Sequence, residues 1–346
     1  MGRFRSERPA DFSRKKSREA RYAVLYSVFP GLRDVMWHPE AFNTDRFVLN
    51  CRGRLLDCRP GLPGGAHVMG ILNVTPDSFW DGGRYQTVDA ALKRVETMLE
   101  EGAAIIDVGG ESTRPRGRTY GRGAEPVSPD EERRRVLPVI EAIAQRFPEA
   151  IISVDTYKPE VARDALEAGA HLINDQTGLR LYPEMAEVAA RYGAPLVLMH
   201  SVGRPGEMPH ELHYDDVVAE VRQSLAESVA RAHAAGVRQV VLDPGFGFGK
   251  TAAENLQLIN NVDALLSLGY PVLVGVSRKS TIGQVLGTPE RPVPPEGRLY
   301  GTLGVTAVAV LRGATLVRAH DVRPTVEMLR LLAATLAQPR TELHAV

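Results

Sequence analysis

The residues best suited to chemistry each close a short apolar run of the chain. Three aspartates and one asparagine stand in this position: Asp107, Asp155, Asn174 and Asp243. Burying such a group costs free energy unless the group is paired or used, so surface decoration does not explain them. A carboxylate accepts two parallel hydrogen bonds from an amidine-like or guanidine-like edge. The four residues therefore predict a site for a flat heterocycle that carries such an edge.

Basic side chains close or follow other apolar runs. Arg114, Lys279, Arg318 and His320 are of this kind, and together they suit an anion with several oxygens, such as a pyrophosphate. Asn73 closes the first run and offers one oxygen to Mg2+, whose remaining positions are usually filled by phosphate oxygens and water. The residues predict a site that holds a pyrophosphorylated heterocycle and stabilises the pyrophosphate as it leaves.

The elements that must position these residues alternate between strand-like and helix-like. Apolar runs are separated by stretches whose apolar residues recur with a period near 3.6. We predict strands at His67–Val74, Ala104–Val108, Ile151–Asp155, His171–Asn174, Pro195–His200, Gln239–Asp243, Val272–Val276 and Thr315–Ala319. Eight βα units in series close most simply into an α/β fold, the (β/α)8 TIM barrel, and an open doubly wound sheet is the alternative. In a barrel the C-terminal strand ends meet at one mouth.

Start and stop signals locate some of the helices. We predict that Thr87 caps the first helix and that Gly102 ends it. Ser128 should open the second helix, and Gly169 should close the third.

The N-terminal part of the chain is predicted to be an extension of the barrel. We divide the chain into residues 1–65 and a barrel at 66–340. Residues 1–21 are too polar to bury a core and should form a basic leader. The following residues contain strand-like runs at Tyr22–Phe29 and Arg46–Asn50, and we expect them to pack on the barrel, as a hairpin over its N-terminal end.

The balance of charges excludes some classes of partner. The 346 residues include 42 basic and 42 acidic ones, which argues against general binding to nucleic acid or membranes. No apolar run approaches the roughly 20 residues of a membrane helix, and no signal peptide is visible, so we expect a cytoplasmic protein. Cys51 and Cys58 should be reduced, as is usual in a cytosolic enzyme. A zinc site shared with His38 or His67 is not expected, because the spacing matches no zinc pattern.

A glycine-rich stretch at 245–251 looks like a phosphate-binding P-loop but lacks one required residue. The first glycine of that motif would stand at position 244, which is Pro244. We predict instead a turn that brings the backbone and Phe248 close to a flat ligand, with Lys250 or Thr251 starting a helix.

At these residues the chain closely resembles the dihydropteroate synthase family. The resemblance runs from about His67 to Leu336 through seven collinear motifs: GILNVTPDSFWDGG, DVGGESTRPRG, SVDTYKPEVA, IND, LDPGFGFGK, GVSRKS and RAHDV. It implies an enzyme that joins 7,8-dihydropterin-6-ylmethyl diphosphate to 4-aminobenzoate, forming 7,8-dihydropteroate and pyrophosphate with Mg2+. It also implies a dissociative displacement, inhibition by sulfonamides, and a homodimer formed through outer helices near the C-terminus.

The resemblance implies roles for the matching positions. Pterin contacts are implied for Asp107, Asp155, Asn174, Met199, Asp243 and Lys279; diphosphate contacts for Asn73, Arg114, Arg318 and His320, with Asn73 on the metal; and the 4-aminobenzoate pocket for Thr113, Arg114, Pro115, Gly247, Phe248, Lys279 and Ser280. The implied catalytic set is Asp155, Lys279, Asp81 and Arg114.

Some residues and functions stay open at this point. Asp107 either contacts the pterin or makes a structural hydrogen bond, and His200 is expected to be structural. Gln176–Thr177 replaces the apolar-Ser pair that is more usual in the family. The alternatives to a synthase are a pterin-dependent methyltransferase, which has no need of Lys279 with Arg318 and His320, and a non-catalytic pterin-binding barrel.

Overall fold

A computed structural model shows an almost closed barrel of eight parallel strands. The structure describes residues 42–61, 66–74, 84–111, 126–203 and 212–338, with the side chains of 84–87 excepted. Along the chain, the first six strands of this sheet pair in sequence, the eighth pairs with both the first and the seventh, and a parallel bridge between Leu242 and Val272 joins the sixth to the seventh. The predicted TIM barrel is confirmed, and the open doubly wound sheet is excluded.

The strands match the predicted runs to within one to two residues at most ends. They are β1 Val48–Cys51, β2 Arg54–Asp57, β3 His67–Asn73, β4 Ile105–Gly109, β5 Ile151–Asp155, β6 Leu172–Asp175, β7 Leu196–Met199, β8 Val240–Asp243, β9 Leu273–Val274 and β10 Leu316–Ala319. The helices are α1 Thr44–Phe47, α2 Arg84–Glu100, α3 Pro129–Arg146, α4 Pro159–Glu167, α5 Met185–Tyr192, α6 Val217–Ala234, α7 Ala252–Asn260, α8 Val262–Leu266, α9 Ser280–Leu286, α10 Leu299–Leu311 and α11 Val322–Leu336, with a 3-10 turn at Pro295–Arg298.

Two apolar clusters stabilise the barrel. The larger lies between the strands and the surrounding helices. The smaller fills the barrel interior at its N-terminal end. It takes one residue from each parallel strand, and we call these eight residues the barrel floor: Met69, Ile105, Ile151, Leu172, Val197, Val241, Leu273 and Leu316. Because side chains along a strand alternate between its two faces, the residues two positions further along each strand also face inward. This second interior layer is where polar side chains begin.

A β-hairpin covers the N-terminal end of the barrel. Strands β1 and β2 pair antiparallel, and Leu49, Cys51, Leu56 and Cys58 belong to the interior cluster. Polar contacts hold the hairpin in place, since the Gln239 amide donates to the carbonyl oxygens of Asp45 and Val48 and accepts from Asn50 N. Arg52 Nη1 donates to Leu166 O at 2.6 Å, which satisfies a carbonyl at the end of α4.

The boundary between the extension and the barrel stays a prediction. The predicted run at Tyr22–Phe29 and residues 62–65 lie outside the described residues. Cys51 and Cys58 are free thiols, and burial raises the pKa of Cys51 to about 12. Among the described helices, none is long and apolar enough to cross a membrane.

The predicted helix signals hold with one exception. Thr87 lies inside α2, so the prediction that it caps this helix is wrong, because the three residues before it, from Arg84, are already helical. Gly102 and Gly169 both follow helix ends with positive φ. The Ser128 side chain accepts from Glu131 N, and Thr251 forms a capping box with Glu254.

The hairpin contribution to stability can be measured with a matched pair of leucines. Leu49 is fully buried in the interior cluster, whereas Leu55, on the same hairpin, is 70% exposed. We expect Leu49→Ala to lower the free energy of unfolding by roughly 2–5 kcal/mol, because it leaves a cavity at the barrel floor. Leu55→Ala should change it by less than about 0.5 kcal/mol. Urea unfolding measures both, and equal losses would contradict the packing described here.

Candidate active site

The candidate site is built on the second and third interior layers of the barrel. Two positions after the floor residues stand Asp107, Asn174, Met199, Asp243 and Arg318, and all but Arg318 are buried. Asp155 closes β5 one layer higher and is paired in register with Asn174. The period of two along each strand therefore directs these side chains into one chamber. Asp107 lies in the middle of β4, not at its end as we predicted, because the strand continues to Gly109.

Arg318 joins two of the carboxylates. Its Nε donates to Asp107 Oδ2 at 2.6 Å, and its Nη2 donates to Asp155 Oδ2 at 2.7 Å. Asn174 Nδ2 also donates to Asp107 Oδ2, at 3.2 Å. Asp107 Oδ1 is buried and has no hydrogen-bond partner among the described residues. The chamber thus presents a carboxylate oxygen that a donor on a ligand can satisfy.

A second charged group lies opposite, at the end of β8. Asp243 Oδ1 accepts from Gly245 N at 2.7 Å. Lys250 Nζ donates to Gly245 O and to Phe248 O, each at 3.0 Å, so Lys250 holds the two ends of the glycine-rich turn together. Gly245 has φ 69°, and a Cβ there would lie 1.9 Å from His200 O, so the turn requires glycine. The predicted turn and the helix start at Thr251 are confirmed.

Lys279 covers this turn. Its Nζ donates to Phe246 O and lies 4.3 Å from the centroid of the Phe248 ring, a cation–π distance. Gly247 allows the approach, because a Cβ there would lie 2.9 Å from Lys279 Cδ. Lys279, Phe248 and the adjacent Ser280 thus form one wall of the chamber.

Burial moves the pKa values of several carboxyl and amino groups of the site toward 7. Desolvation raises the pKa of Asp155 to about 7, against the opposing charge of Arg318. Desolvation also lowers the pKa of Lys279 to about 8 and that of Lys250 to about 7. Asp243 has a raised pKa for the same reason, partly offset by Lys279. The chamber therefore holds groups whose charge changes near pH 7, which is common at functional sites.

His320 lies at the rim next to Arg318. Its backbone N–H donates to Ser277 Oγ at 3.2 Å, and its Nδ1 lies 3.0 Å from the same oxygen. His320 is an exposed residue, and desolvation by its neighbours and then the charge of Arg318 lower the pKa of the imidazole. His320 is therefore neutral at pH 7 and offers a hydrogen-bond donor and not a positive charge. Asp321 is the N-cap residue of α11, but its side chain makes no capping hydrogen bond and instead accepts two from Arg278, at 2.6 and 2.8 Å.

The metal prediction concerns Asn73, the last residue of β3. Its register partner is Gly109, which is in turn the partner of Asp155, so Asn73 lies on the same rim. The described residues contain no group of three or more His, Cys, Asp or Glu side chains that could hold a metal ion. A lone amide oxygen suits Mg2+ only if the ion arrives with a phosphate group that supplies further oxygens. The oxygen of Asn73 is therefore compatible with Mg2+ that is bound together with a phosphate group, and not with a metal site formed by protein ligands alone.

The structure brings most of the predicted site residues together. Those around the one chamber are Asn73, Asp107, Asp155, Asn174, Met199, Asp243, Gly247, Phe248, Lys279, Ser280, Arg318 and His320. Asp81, Thr113, Arg114 and Pro115 lie outside the described residues. Arg318 was predicted to contact a diphosphate, and in the structure it binds the carboxylates of Asp107 and Asp155. Its contact with a diphosphate stays a prediction. His200 is buried beside Tyr214 and Met199, as expected of a structural residue.

Three buried polar residues of the site were not assigned from the sequence. Gln176 donates to Asp155 Oδ1, Lys250 binds the glycine-rich turn, and Ser277 supports His320. A fourth group lies beside the chamber, where Lys158 Nζ bridges Glu111 and Glu132. The positions of Gln176 and Ser277 in the sequence could have identified them as inward-facing. Gln176 stands four residues after the floor residue Leu172, and Ser277 stands four residues after the floor residue Leu273.

Removing Arg318 tests the charge balance of the chamber. We expect Arg318→Met to destabilise the fold by roughly 3–5 kcal/mol near pH 8, because it leaves two buried carboxylates unpaired. The destabilisation caused by Arg318→Met should be smaller near pH 5.5 than near pH 8. Asp155 already has a raised pKa, and removing the guanidinium raises it further, so the folded variant takes up a proton that the unfolded chain does not.

Urea unfolding at both pH values measures this effect. Arg278→Met is the control, because it removes a half-exposed arginine whose partner Asp321 has a lowered pKa. The Asp321 carboxyl stays charged over that range, so the loss in the control should be independent of pH. An Arg318→Met loss that is equal at both pH values would contradict the assignment.

Comparison with known proteins agrees with this geometry. Residues 69–320 match the family described as pterin binding enzyme. Dihydropteroate synthase of Escherichia coli K12 is 49% identical over 273 residues, which cover 78% of this chain and 92% of that protein.

Solved structures of dihydropteroate synthases are also similar to this chain. The dihydropteroate synthase from Xanthomonas albilineans, in complex with 7,8-dihydropteroate, has a TM-score of 0.71 at 44% identity, covering 84% of this chain and 100% of that one. The Yersinia pestis enzyme, in a sulfonamide drug complex, has a TM-score of 0.74 at 44% identity, with the same coverage. Since the family model spans most of the barrel and the relatives are nearly half identical, the chain belongs to the pterin-binding enzymes and is a transferase of the dihydropteroate synthase family.

Proposed function

We propose that this protein joins 7,8-dihydropterin-6-ylmethyl diphosphate to 4-aminobenzoate, forming 7,8-dihydropteroate and releasing pyrophosphate. The observation that carries the proposal is the unpartnered oxygen of Asp107 within a buried set of carboxylates and amides. A pterin ring presents an edge of amino and ring N–H donors, which suits these acceptors. The product complex of the Xanthomonas relative supports the same ligand class.

The ring would lie deep in the chamber and the diphosphate at the rim. Asp107, Asn174 and Asp243 lie two residues above the apolar floor, whereas Asn73 and His320 lie one layer further out. Met199, buried at the end of β7, offers an apolar face to the ring. Lys279 stands between the two levels, against Phe248. A substrate with a flat donor-bearing end and a charged end matches this order.

The residues favour a dissociative displacement. The bond between the methylene carbon and the diphosphate oxygen breaks first, and its electron pair leaves with the diphosphate. The carbocation is shared with the electron-rich ring and faces Asp155 and Asp107, whose charge stabilises it. The amine nitrogen of 4-aminobenzoate then donates its lone pair to that carbon, and its proton leaves afterwards. No strong base is required in this order, because the positive charge on the nitrogen makes that proton acidic.

The leaving group requires its own stabilisation. When bound with the diphosphate, Mg2+ would neutralise the charge that develops there, and Asn73 would hold it through one oxygen. His320 would donate a hydrogen bond to the same group, since the Ser277 hydroxyl is placed to donate to Nδ1 and so to leave Nε2 protonated. Arg114 and Asp81 join this set through the family resemblance, as do Thr113 and Pro115 in the 4-aminobenzoate pocket beside Phe248 and Ser280.

The reaction can be tested by following both products. We expect pyrophosphate release only when the pterin diphosphate, 4-aminobenzoate and Mg2+ are all present, with equimolar dihydropteroate detected by mass spectrometry. A sulfonamide should compete with 4-aminobenzoate. Methyl transfer from a methylated pterin would favour the methyltransferase alternative, and tight pterin binding without product would favour a non-catalytic barrel; either result would refute the proposal.

We infer a homodimer from the outer surface of the last helices. Five large apolar side chains are exposed there, on α9, α10 and α11: Val285, Leu286, Tyr300, Val308 and Leu331. Tyr300 is 84% exposed and Leu331 is 71% exposed, on helices that pack side by side. A second copy of the chain that packs on this surface would remove it from water.

Light scattering after size exclusion tests the dimer. The wild-type chain should elute with the mass of two copies, and Tyr300→Glu should shift the equilibrium toward one copy, because it places a charge in the interface. Leu55→Glu is the control, since Leu55 is as exposed but lies on the hairpin at the far end of the barrel. A monomeric wild type, or a dimer that Tyr300→Glu leaves intact, would reject this interface.

A further inference from the structure

Gln176 is held rigidly at the end of β6. The Asp175 carboxylate accepts from Thr177 N at 2.8 Å and from Leu179 N at 2.7 Å, which fixes the turn that follows the strand. Ser201 Oγ donates to Gln176 O at 2.8 Å. The backbone on both sides of Gln176 is therefore constrained, and its side chain is directed into the chamber with 7% exposure.

The orientation of the Gln176 amide follows from its partner. Its Nε2 donates to Asp155 Oδ1, while Asp155 Oδ2 accepts from Arg318. The ionised Asp155 only accepts hydrogen bonds, so in that state the nitrogen and not the oxygen of the amide faces it, as it does in the structure. Gln176 Oε1 is consequently turned to the other side, where it is buried and has no partner among the described residues.

Two buried acceptors thus remain unsatisfied in one connected network. They are Gln176 Oε1 and Asp107 Oδ1, and they are linked through Asp155 and Arg318. A buried acceptor without a donor is costly, and the cost is removed when a ligand brings a donor. The same acceptors also reject a ligand that presents a lone pair at that place, because two acceptors would then face each other.

We propose that Gln176 positions Asp155 and accepts a hydrogen bond from an N–H of the bound dihydropterin, so that it contributes to recognition of the ring. This inference rests on the proposed function and adds a residue to its ring-binding set. The donor side of the amide fixes the carboxylate that faces the reacting carbon. The acceptor side binds the substrate itself.

The charges around Asp155 give the proposal a second, independent readout. Asp155 is faced by Arg318 from β10, Asp107 from β4, Glu132 from α3 and Lys279 from the turn after β9. Burial raises the pKa of Asp155 to about 7, Arg318 and the hydrogen bond from Gln176 lower it, and Asp107 and Glu132 raise it. Loss of the Gln176 donor should therefore move this titration to higher pH. A residue with a purely structural role has no such effect.

The test uses Gln176→Leu in the full chain. Calorimetry with 7,8-dihydropterin that lacks the diphosphate should show binding weakened roughly tenfold, the loss of one hydrogen bond to a buried partner. The acid limb of kcat/KM for the pterin diphosphate should shift to higher pH, while KM for 4-aminobenzoate stays within about twofold. Gln223→Leu, an exposed glutamine on α6, is the matched control and should leave all three values unchanged.

A second variant separates the two sides of the amide. Gln176→Glu keeps the acceptor but places a carboxylate against Asp155, so dihydropterin binding should be weak near pH 8 and recover toward pH 6 as the pair takes up a proton. Binding by Gln176→Leu that equals the wild type, or binding by Gln176→Glu that does not depend on pH, would overturn the inference. A wild-type chain that binds dihydropterin but makes no dihydropteroate would refute the proposed function and leave the role of Gln176 in binding testable.

Discussion

The paired hydrogen bonds from Arg318 to Asp107 and Asp155 are the interaction on which the site depends. Without the guanidinium, two carboxylates would share the interior of a barrel whose floor is entirely apolar. Repulsion and desolvation would favour protonation of one of them, and the chamber would lose part of the negative charge that the proposed mechanism relies on. The sheet order makes this pairing possible, because β5, β4, β3 and β10 lie side by side and the curvature of the barrel turns their inner faces toward one another.

The same barrel separates stability from chemistry along its axis. The hairpin and the eight floor residues exclude water at the N-terminal end, and polar side chains begin only two residues further on. The polar groups above are held by backbone contacts of the turns, as with Lys250 on Gly245 and Phe248. The fold therefore supplies an apolar floor and hydrogen-bonded turns. Asp107 Oδ1 and Gln176 Oε1 lie between them as buried acceptors that a ligand can satisfy.

The sequence predicted the fold well because each parallel strand is a short apolar run that is buried on both faces. It predicted the chamber for a related reason: side chains that share a strand face are two residues apart, so Asp107, Asn174, Asp243 and Arg318 had to meet once the strands closed. It could not predict which groups pair before a ligand binds. Arg318 was predicted to contact a diphosphate, and without a ligand it binds two carboxylates; the helix that contains Thr87 starts before its apparent cap. These outcomes depend on distances between strands, which a linear pattern does not contain.

The central claim is that the buried acceptors of the chamber bind the donor edge of a pterin ring. A crystal structure of the protein soaked with the pterin diphosphate tests it most directly. The account predicts that the ring lies among Asp107, Asn174 and Asp243, with a ring or amino nitrogen donating to Asp107 Oδ1 and the diphosphate directed toward Asn73 and His320. A ring bound outside the barrel mouth, or one that leaves Asp107 Oδ1 without a donor, would contradict it.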